Sequence, residues 1–238
     1  MTMNRKKIKQ YYEDMANSYD SVRFECAKEK FVDEIQRGLI LDMLGNLNGK
    51  KVLDIGCGTG RIGAHVAAHN PKADVIGVDT SKSMLKIAKN KAKKMKLKNI
   101  VFKEGDIYNL KLPRGYFDVI TFIRVIWHLE HPEIALNHIK KLLKKDGILI
   151  VDFLNKQSYL GMLNRIRKDK QEVVSEFYSV KDILELLRKS GFSIESFKGQ
   201  ELLPYKVWNK KFLRWVELHA ISRLFVFTKW IMIKARKV

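Results

Sequence analysis

The stretch Val52-Leu53-Asp54-Ile55-Gly56-Cys57-Gly58-Thr59-Gly60 constrains this chain more than any other, because it sets an apolar run directly before three alternating glycines. Val52, Leu53 and Ile55 suit a strand covered on both faces, as in a parallel sheet with helices above and below. Gly56, Gly58 and Gly60 let the backbone turn sharply and approach a ligand with no side chain between. Strand, glycine turn and a following helix together predict an α/β fold with a nucleotide-like cofactor at the turn.

Dinucleotide sites carry their third glycine three positions after the second and offer a helix N-terminus to pyrophosphate. Here that position is Arg61, and an acid, Asp54, stands two residues before the first glycine. A carboxylate there suits a cofactor presenting an amine and a sulfonium rather than a diphosphate. The run from Asp54 to Gly60 resembles the first motif of the class I S-adenosylmethionine (SAM)-dependent methyltransferases. That resemblance implies a Rossmann-like, seven-stranded, mostly parallel sheet with helices on both faces, an antiparallel last strand and a helical N-terminal cap. It also implies SAM as cofactor, held by the motif residues Asp54, Gly56, Cys57, Gly58 and Gly60.

Further landmarks follow in order. Residues 61–68 predict a helix stopped near Asn70 and Pro71, and residues 73–79 predict the second strand, ending at Asp79. An acid about twenty residues past the glycines is placed to accept both ribose hydroxyls. Thr80 joins it in the cofactor set, and Thr80 or Ser81 caps the next helix. On that helix Met84, Leu85 and Ala88 face inward while Lys82, Lys86, Lys89, Lys91, Lys93 and Lys94 face solvent. Met84 resembles the family residue packed near the adenine. The third strand, residues 100–104, leads to Gly105, Asp106 and Ile107. By the same resemblance, Asp106 accepts the exocyclic amine of adenine and Ile107 covers its ring.

Residues 116–122 read as the fourth strand. Open α/β sheets bind ligands beyond the carboxyl ends of their strands, so Ile123, Arg124, Val125, Trp127 and His128 should border the methyl donor and the acceptor. Pro132 begins a helix running to residue 143, residues 144–147 form a turn, and residues 148–153 form the fifth strand. Residues 155–176, with Tyr159, Met162, Arg165, Arg167, Lys168 and Lys170, predict a mobile helix or loop over the acceptor site. Ser179 and Asp182 make a capping box for a helix over residues 183–189. Residues 192–198 and 225–234 supply the sixth and seventh strands.

Before these elements, residues 1–48 read as a helical cap: a helix over residues 6–15, the segment 19–23, then a periodic run over residues 24–44. Residues 49–238 form the cofactor-binding domain, with an insertion, residues 199–224, before the last strand. In the insertion Trp208, Phe212, Trp215, Val216 and His219 share one face of a helix flanked by Lys206, Lys210, Lys211 and Arg214. Such a helix would pack on the domain or a second subunit, or lie on an anionic membrane or a greasy substrate.

Cys26 and Cys57 are the two cysteines, without paired metal-ligand spacing, so neither a disulfide framework nor a zinc site is expected and a reducing, cytoplasmic setting fits. The N-terminus lacks the apolar core of a signal peptide, and the longest late apolar run is too short to span a bilayer, leaving a cytoplasmic protein with peripheral membrane contact open. A formal net charge of +20 favours an anionic partner such as RNA, a phosphorylated metabolite or a lipid surface, although lysine-rich codon composition produces the same excess.

Methyl transfer from SAM is a displacement at an already activated carbon, so alignment supplies much of the catalysis. A hydroxyl or carbon-acid acceptor also needs a base. His128 is the candidate base, Arg124 the binder of an anionic group, and Tyr19 a further wall. The chain reads Phe122-Ile123-Arg124-Val125-Ile126-Trp127-His128 where amine-gripping methyltransferases carry an Asp/Asn-Pro-Pro-Tyr/Phe motif, and no cysteine follows the strand. O- or C-methylation is therefore favoured over base N-methylation. The overall arrangement is similar to enzymes acting on small molecules and lipid-like intermediates, as in quinone biosynthesis. A tRNA-modifying methyltransferase is the alternative, through the charge and a loose likeness of residues 19–23 to wobble-uridine enzymes.

Overall fold

The computed structural model describes residues 5–24, 27–166, 176–201 and 225–238. Two helices, α1 (Arg5–Phe24) and α2 (Ala27–Leu44), precede strand β1 (Lys51–Ile55). Then come α3 (Arg61–His69), β2 (Asp74–Asp79), α4 (Lys82–Lys94), β3 (Ile100–Glu104), β4 (Phe117–Phe122), α5 (Pro132–Leu142), β5 (Leu143–Leu154), α6 (Tyr159–Ile166), α7 (Val180–Lys189), β6 (Phe192–Gln200) and β7 (Trp230–Lys237). The strands form one sheet in the order β3-β2-β1-β4-β5-β7-β6, parallel except that β7 runs antiparallel to both β5 and β6. The chain runs outward from β1 through β2 to β3, then returns to place β4 on the other side of β1. The crevice between β1 and β4 is thus the point where strand order reverses, which in such sheets opens a ligand site at the carboxyl ends.

Both faces of the sheet are covered, which explains the near-continuous apolar strand sequences. Val52, Val119, Ile150 and Met232 pack on one face with Ile40, Val66, Leu85 and Ala88 of α2, α3 and α4. Their strand neighbours Leu53, Ile120, Leu149, Val151, Ile231 and Ile233 pack on the other with Leu136, Ile139, Ile183 and Leu187 of α5 and α7. Local signals set the helix starts. The Ser81 hydroxyl accepts the Met84 N–H at the head of α4, Pro132 begins α5, and Ser179 with Asp182 closes the expected capping box before α7.

Several boundaries differ from expectation. Residues 19–23 are not a separate segment but continue α1 through Phe24. Residues 144–147 do not precede β5 as a turn but bulge within it: β5 pairs with Phe117 at Leu143 and again with Val119 at Ile148, and Asp146 between them has φ +59°. Lys144 ties this stretch to both carboxylate oxygens of Asp118 at 2.9 Å. The last strand starts at Trp230 rather than 225, after a single turn over Phe225–Phe227. The cause is Asn155, whose amide donates to the carbonyls of Val226 and Thr228 and so takes them from any ladder. At its other end β7 runs on to Lys237 rather than 234, because β5 and β6 supply partners there.

Tyr159 and Met162 lie on α6, whereas the side chains of Arg165, Arg167, Lys168 and Lys170 lie outside the described residues. So does the expected aromatic helix with Trp208, Phe212, Trp215, Val216 and His219 and its flanking Lys206, Lys210, Lys211 and Arg214. Among the described residues no helix is long and apolar enough to cross a membrane.

Candidate functional site

A cavity of about 380 Å³ opens at the carboxyl ends of β1, β2 and β4. Its lining includes Asp54, Gly56, Cys57, Gly58, Asp79, Thr80, Met84, Asp106, Ile107, Ile123, Arg124 and His128, residues the sequence scatters over three quarters of a hundred positions. Gly60 alone of the expected set is absent from that lining. It begins α3, with its Cα packed so tightly that a Cβ would meet the Phe102 ring at 3.0 Å and Ala88 at 3.1 Å.

The turn is shaped by its glycines. Gly56 has φ +69°, and a Cβ there would lie 2.3 Å from the Val125 side chain. Its N–H and that of Cys57 both donate to the Val78 carbonyl, pinning the turn to β2. A Cβ on Gly58, by contrast, would meet nothing within 4 Å. The backbone there borders open volume into which a ligand fits. The Cys57 thiol is buried and lies near Gly77, and burial pushes its pKa up, so it remains a neutral thiol.

Three acids ring the cavity in different states. Asp54 is 2% exposed and spans β1, β4 and α3, accepting from the Thr121 hydroxyl at 2.7 Å and the Gly63 N–H at 2.8 Å. Burial lifts its pKa to about 6 against those two bonds. Asp79 accepts the N–H groups of Gly58 at 2.8 Å and Ser81 at 2.9 Å, and burial raises its pKa as well. Asp106 is more open, caps a short turn through the Tyr108 N–H, and pairs with Arg5 at 3.3 Å. Each carboxylate oxygen can accept more than one donor, so these bonds leave capacity for ligand groups.

Helix α1 forms the roof, held by polar ties that no local sequence signal discloses. Arg5 meets Asp106, and Lys9 meets Glu104. Glu13 accepts from the Ser81 hydroxyl and from the N–H and hydroxyl of Ser83 at the head of α4. Asp20 accepts from Thr59 and pairs with Lys91, so Lys91 is not part of a purely solvated lysine face. Arg61, where the dinucleotide glycine would stand, also lines the cavity, with its guanidinium bonded to Asp33 and Gln36 of α2.

A second cavity, about 470 Å³, adjoins the first and shares Tyr12, Tyr19, Arg124 and His128 with it. Tyr11, Trp127, Phe177 and Trp230 add aromatic walls. The His128 Nε2 accepts the Trp127 indole N–H at 2.9 Å and lies 2.8 Å from the Tyr12 hydroxyl. An indole N–H only donates, so Nε2 is the acceptor and the proton of the neutral ring sits on Nδ1. That Nδ1 is buried with no hydrogen-bond partner. Burial, helped by Arg23, lowers the His128 pKa to about 4, and the imidazole is neutral at pH 7. His131, by contrast, is exposed and faces Glu133.

The model of a methyltransferase domain matches residues 46–218. The chain is similar to a demethylmenaquinone methyltransferase of Lactococcus lactis, 26% identical over 212 residues that cover 80% of this chain and 83% of that one. Among solved structures, the magnesium protoporphyrin IX methyltransferase of Synechocystis with bound S-adenosylhomocysteine (SAH) superposes with a TM-score of 0.71 at 20% identity, covering 99% of this chain and all of that one. The cyclase SpnF superposes at 0.74 with 18% identity, covering 100% and 97%. At these identities the superpositions establish the fold, which serves more than one chemistry, while the family model speaks to the activity. Since that model spans most of the sequence, the chain belongs to the methyltransferase-domain family and is a class I SAM-dependent methyltransferase.

Proposed function

We propose that this enzyme, working in the cytoplasm, methylates an oxygen or carbon of a small-molecule or lipid-like acceptor. The observation that carries the reading is the pair of adjoining cavities: one bordered by the glycine turn and three acids, the other walled by aromatic rings, meeting at Tyr12, Tyr19, Arg124 and His128. In this reading Asp54, Gly56, Cys57 and Gly58 hold the amino-acid part of SAM, with Gly60 shaping the turn from behind. Asp79 and Thr80 hold the ribose. Met84, Asp106 and Ile107 hold the adenine, and Ile123 borders the methyl group. Residues 1–48 act as a cap over the cofactor-binding domain of residues 49–238.

SAM, when bound, supplies a methyl carbon activated by its sulfonium. The chain's part is to align an acceptor and, for a hydroxyl, to take its proton. The Tyr12 hydroxyl at His128 Nε2 occupies the position from which an acceptor hydroxyl would hand over that proton. Neutral His128 is in the form a base requires, and Arg124 beside it would attract an anionic acceptor group.

The test is calorimetric titration with SAM, SAH and a reduced dinucleotide, followed by transfer of labelled methyl into fractionated cell extract. Binding of SAM and SAH but not the dinucleotide, with label in the small-molecule or lipid fraction, is expected. Label confined to RNA would replace this acceptor with a tRNA, and failure of SAM to bind would overturn the assignment of the cavity.

A further inference from the structure

The Arg124 side chain is half-buried, and among the described residues no ion pair or side-chain hydrogen bond joins it to a carboxylate, although Asp152 and Asp33 act on it at longer range. Its guanidinium lies 5.3 Å from the centre of the Phe24 ring and 5.0 Å from that of Trp230. Its Nε is buried without a hydrogen-bond partner, as is Nδ1 of His128 in the same wall. The nearby acid, Asp152, spends one oxygen on the backbone N–H of Arg124 at 2.6 Å and the other on Gln36. Two other cations of the cavity walls are satisfied: Lys229 pairs with Glu201 at 2.9 Å, and Arg61 with Asp33. Arg124 also holds φ +61°, a left-handed conformation that a non-glycine residue adopts at a cost and that concentrates at functional positions.

An arginine drawn partly out of water without an ion-pair partner is stabilised when a ligand supplies the anion. A planar guanidinium fork matches a carboxylate in a two-point contact. Among the described residues Arg124 is the inward cation of this cavity without an ion pair, with Arg23 exposed at its edge, and a single guanidinium suits a monoanion better than a phosphate dianion. The second cavity around it is aromatic on several sides, and Trp127 and Trp230 stand 4.9 Å apart between ring centroids. Such walls favour a flat ring over a flexible chain, through stacking beyond simple burial.

Resting on the acceptor reading above, we infer that the acceptor is an aromatic acid, its carboxylate gripped by Arg124 and its ring held among Tyr12, Trp127, Phe177 and Trp230. In this arrangement the Nδ1–H of His128 supplies a further donor to the anion or to a ring substituent. Arg124 is then the residue that separates acids from neutral analogues of the same shape.

The experiment uses the full chain saturated with SAH and titrates 4-hydroxybenzoate, its neutral near-isostere 4-hydroxybenzamide, and phenyl phosphate. The acid should bind about ten-fold or more tightly than the amide, and more tightly than the phosphate, as loss of one charged contact implies. Arg124→Met should erase the preference of acid over amide, and Arg124→Lys should keep part of it. Retention of SAH binding and of a cooperative melt shows that each variant is folded. SAH binding to the unmodified enzyme with no preference for the acid, or with tighter phosphate binding, overturns this inference alone. Absence of SAH binding in that same preparation overturns the cofactor reading beneath it.

Discussion

Gly56 shows how tightly a single residue fixes the site. Its positive φ is a conformation an alanine enters at about 1 to 2 kcal/mol, and the added methyl would collide with Val125 at 2.3 Å. Val125 stands next to Arg124, so the collision would be transmitted to both cavities. Gly56→Ala is expected to lose about 2 to 4 kcal/mol of stability and to bind SAH more weakly. Urea midpoints and calorimetry check this, and unchanged values in both would show that the turn can move aside. The Gly58 position makes the contrast: no protein atom crowds it, so what a side chain there would obstruct is ligand space. Asp54 works at the same scale, holding a strand, its neighbour and a helix with two oxygens while facing the cavity.

Helix α1 acts as an element whose attachment differs in kind from the strands it covers. The sheet is held by backbone ladders and by cores on both faces, whereas α1 buries only Ala16 completely and is tied down by polar contacts. Two of these, Arg5–Asp106 and Lys9–Glu104, are exposed ion pairs of the kind worth about 0 to 1 kcal/mol and weakened by salt. Glu13 is the stronger tie, because hydrogen bonds from Ser81 and Ser83 hold its carboxyl below the usual range and it sits at the positive end of α4. Glu13→Ala should therefore raise amide exchange in α1 roughly five-fold or more, with added salt raising it further, while the strand amides keep their protection. Exchange measured by mass spectrometry decides this. Equal protection of α1 in both proteins would mean that its few apolar contacts suffice. Opening of α1 would also break the Tyr12–His128 contact, so the roof and the proposed base respond together.

At the scale of the whole molecule, buried titratable groups give stability a pH dependence with two opposing parts. Burial lifts Asp152 and Asp54 to about 6. Between about 4 and 6 the folded state holds protons that the unfolded chain has released, so their contribution falls as pH rises through that window. Burial depresses His128 and His65 to about 4. Below about 6.5 the unfolded chain takes up protons that the folded state refuses, so that contribution is lost as pH falls. Asp152→Asn removes one acid from the balance. Its stability relative to the unmodified enzyme should rise between pH 4 and 7 by about 1 to 3 kcal/mol. Urea midpoints across that range provide the test, and parallel curves would mean that Asp152 stays ionised throughout.

Features with a local cause are legible in the residues. The glycine turn after an apolar strand, acids at three successive strand ends, the serine caps and Pro132 each act within a few residues, and from them, with the family resemblance, follow the α/β sheet, its helices and most residues that line the first cavity. Boundaries failed where a distant group intervened. Asn155 claims two carbonyls 71 and 73 residues away and delays the last strand, and pairing with β4 on both sides of residues 144–147 encloses that stretch within β5 as a bulge. The second cavity, the polar ties that hold the roof and the state of His128 come from tertiary packing. Tyr12 and His128 lie 116 residues apart, as do Gln36 and Asp152. No periodicity or spacing encodes such encounters. They arise only when the packed sheet brings separate helices over one crevice, and burial there, rather than residue type, sets which groups carry charge.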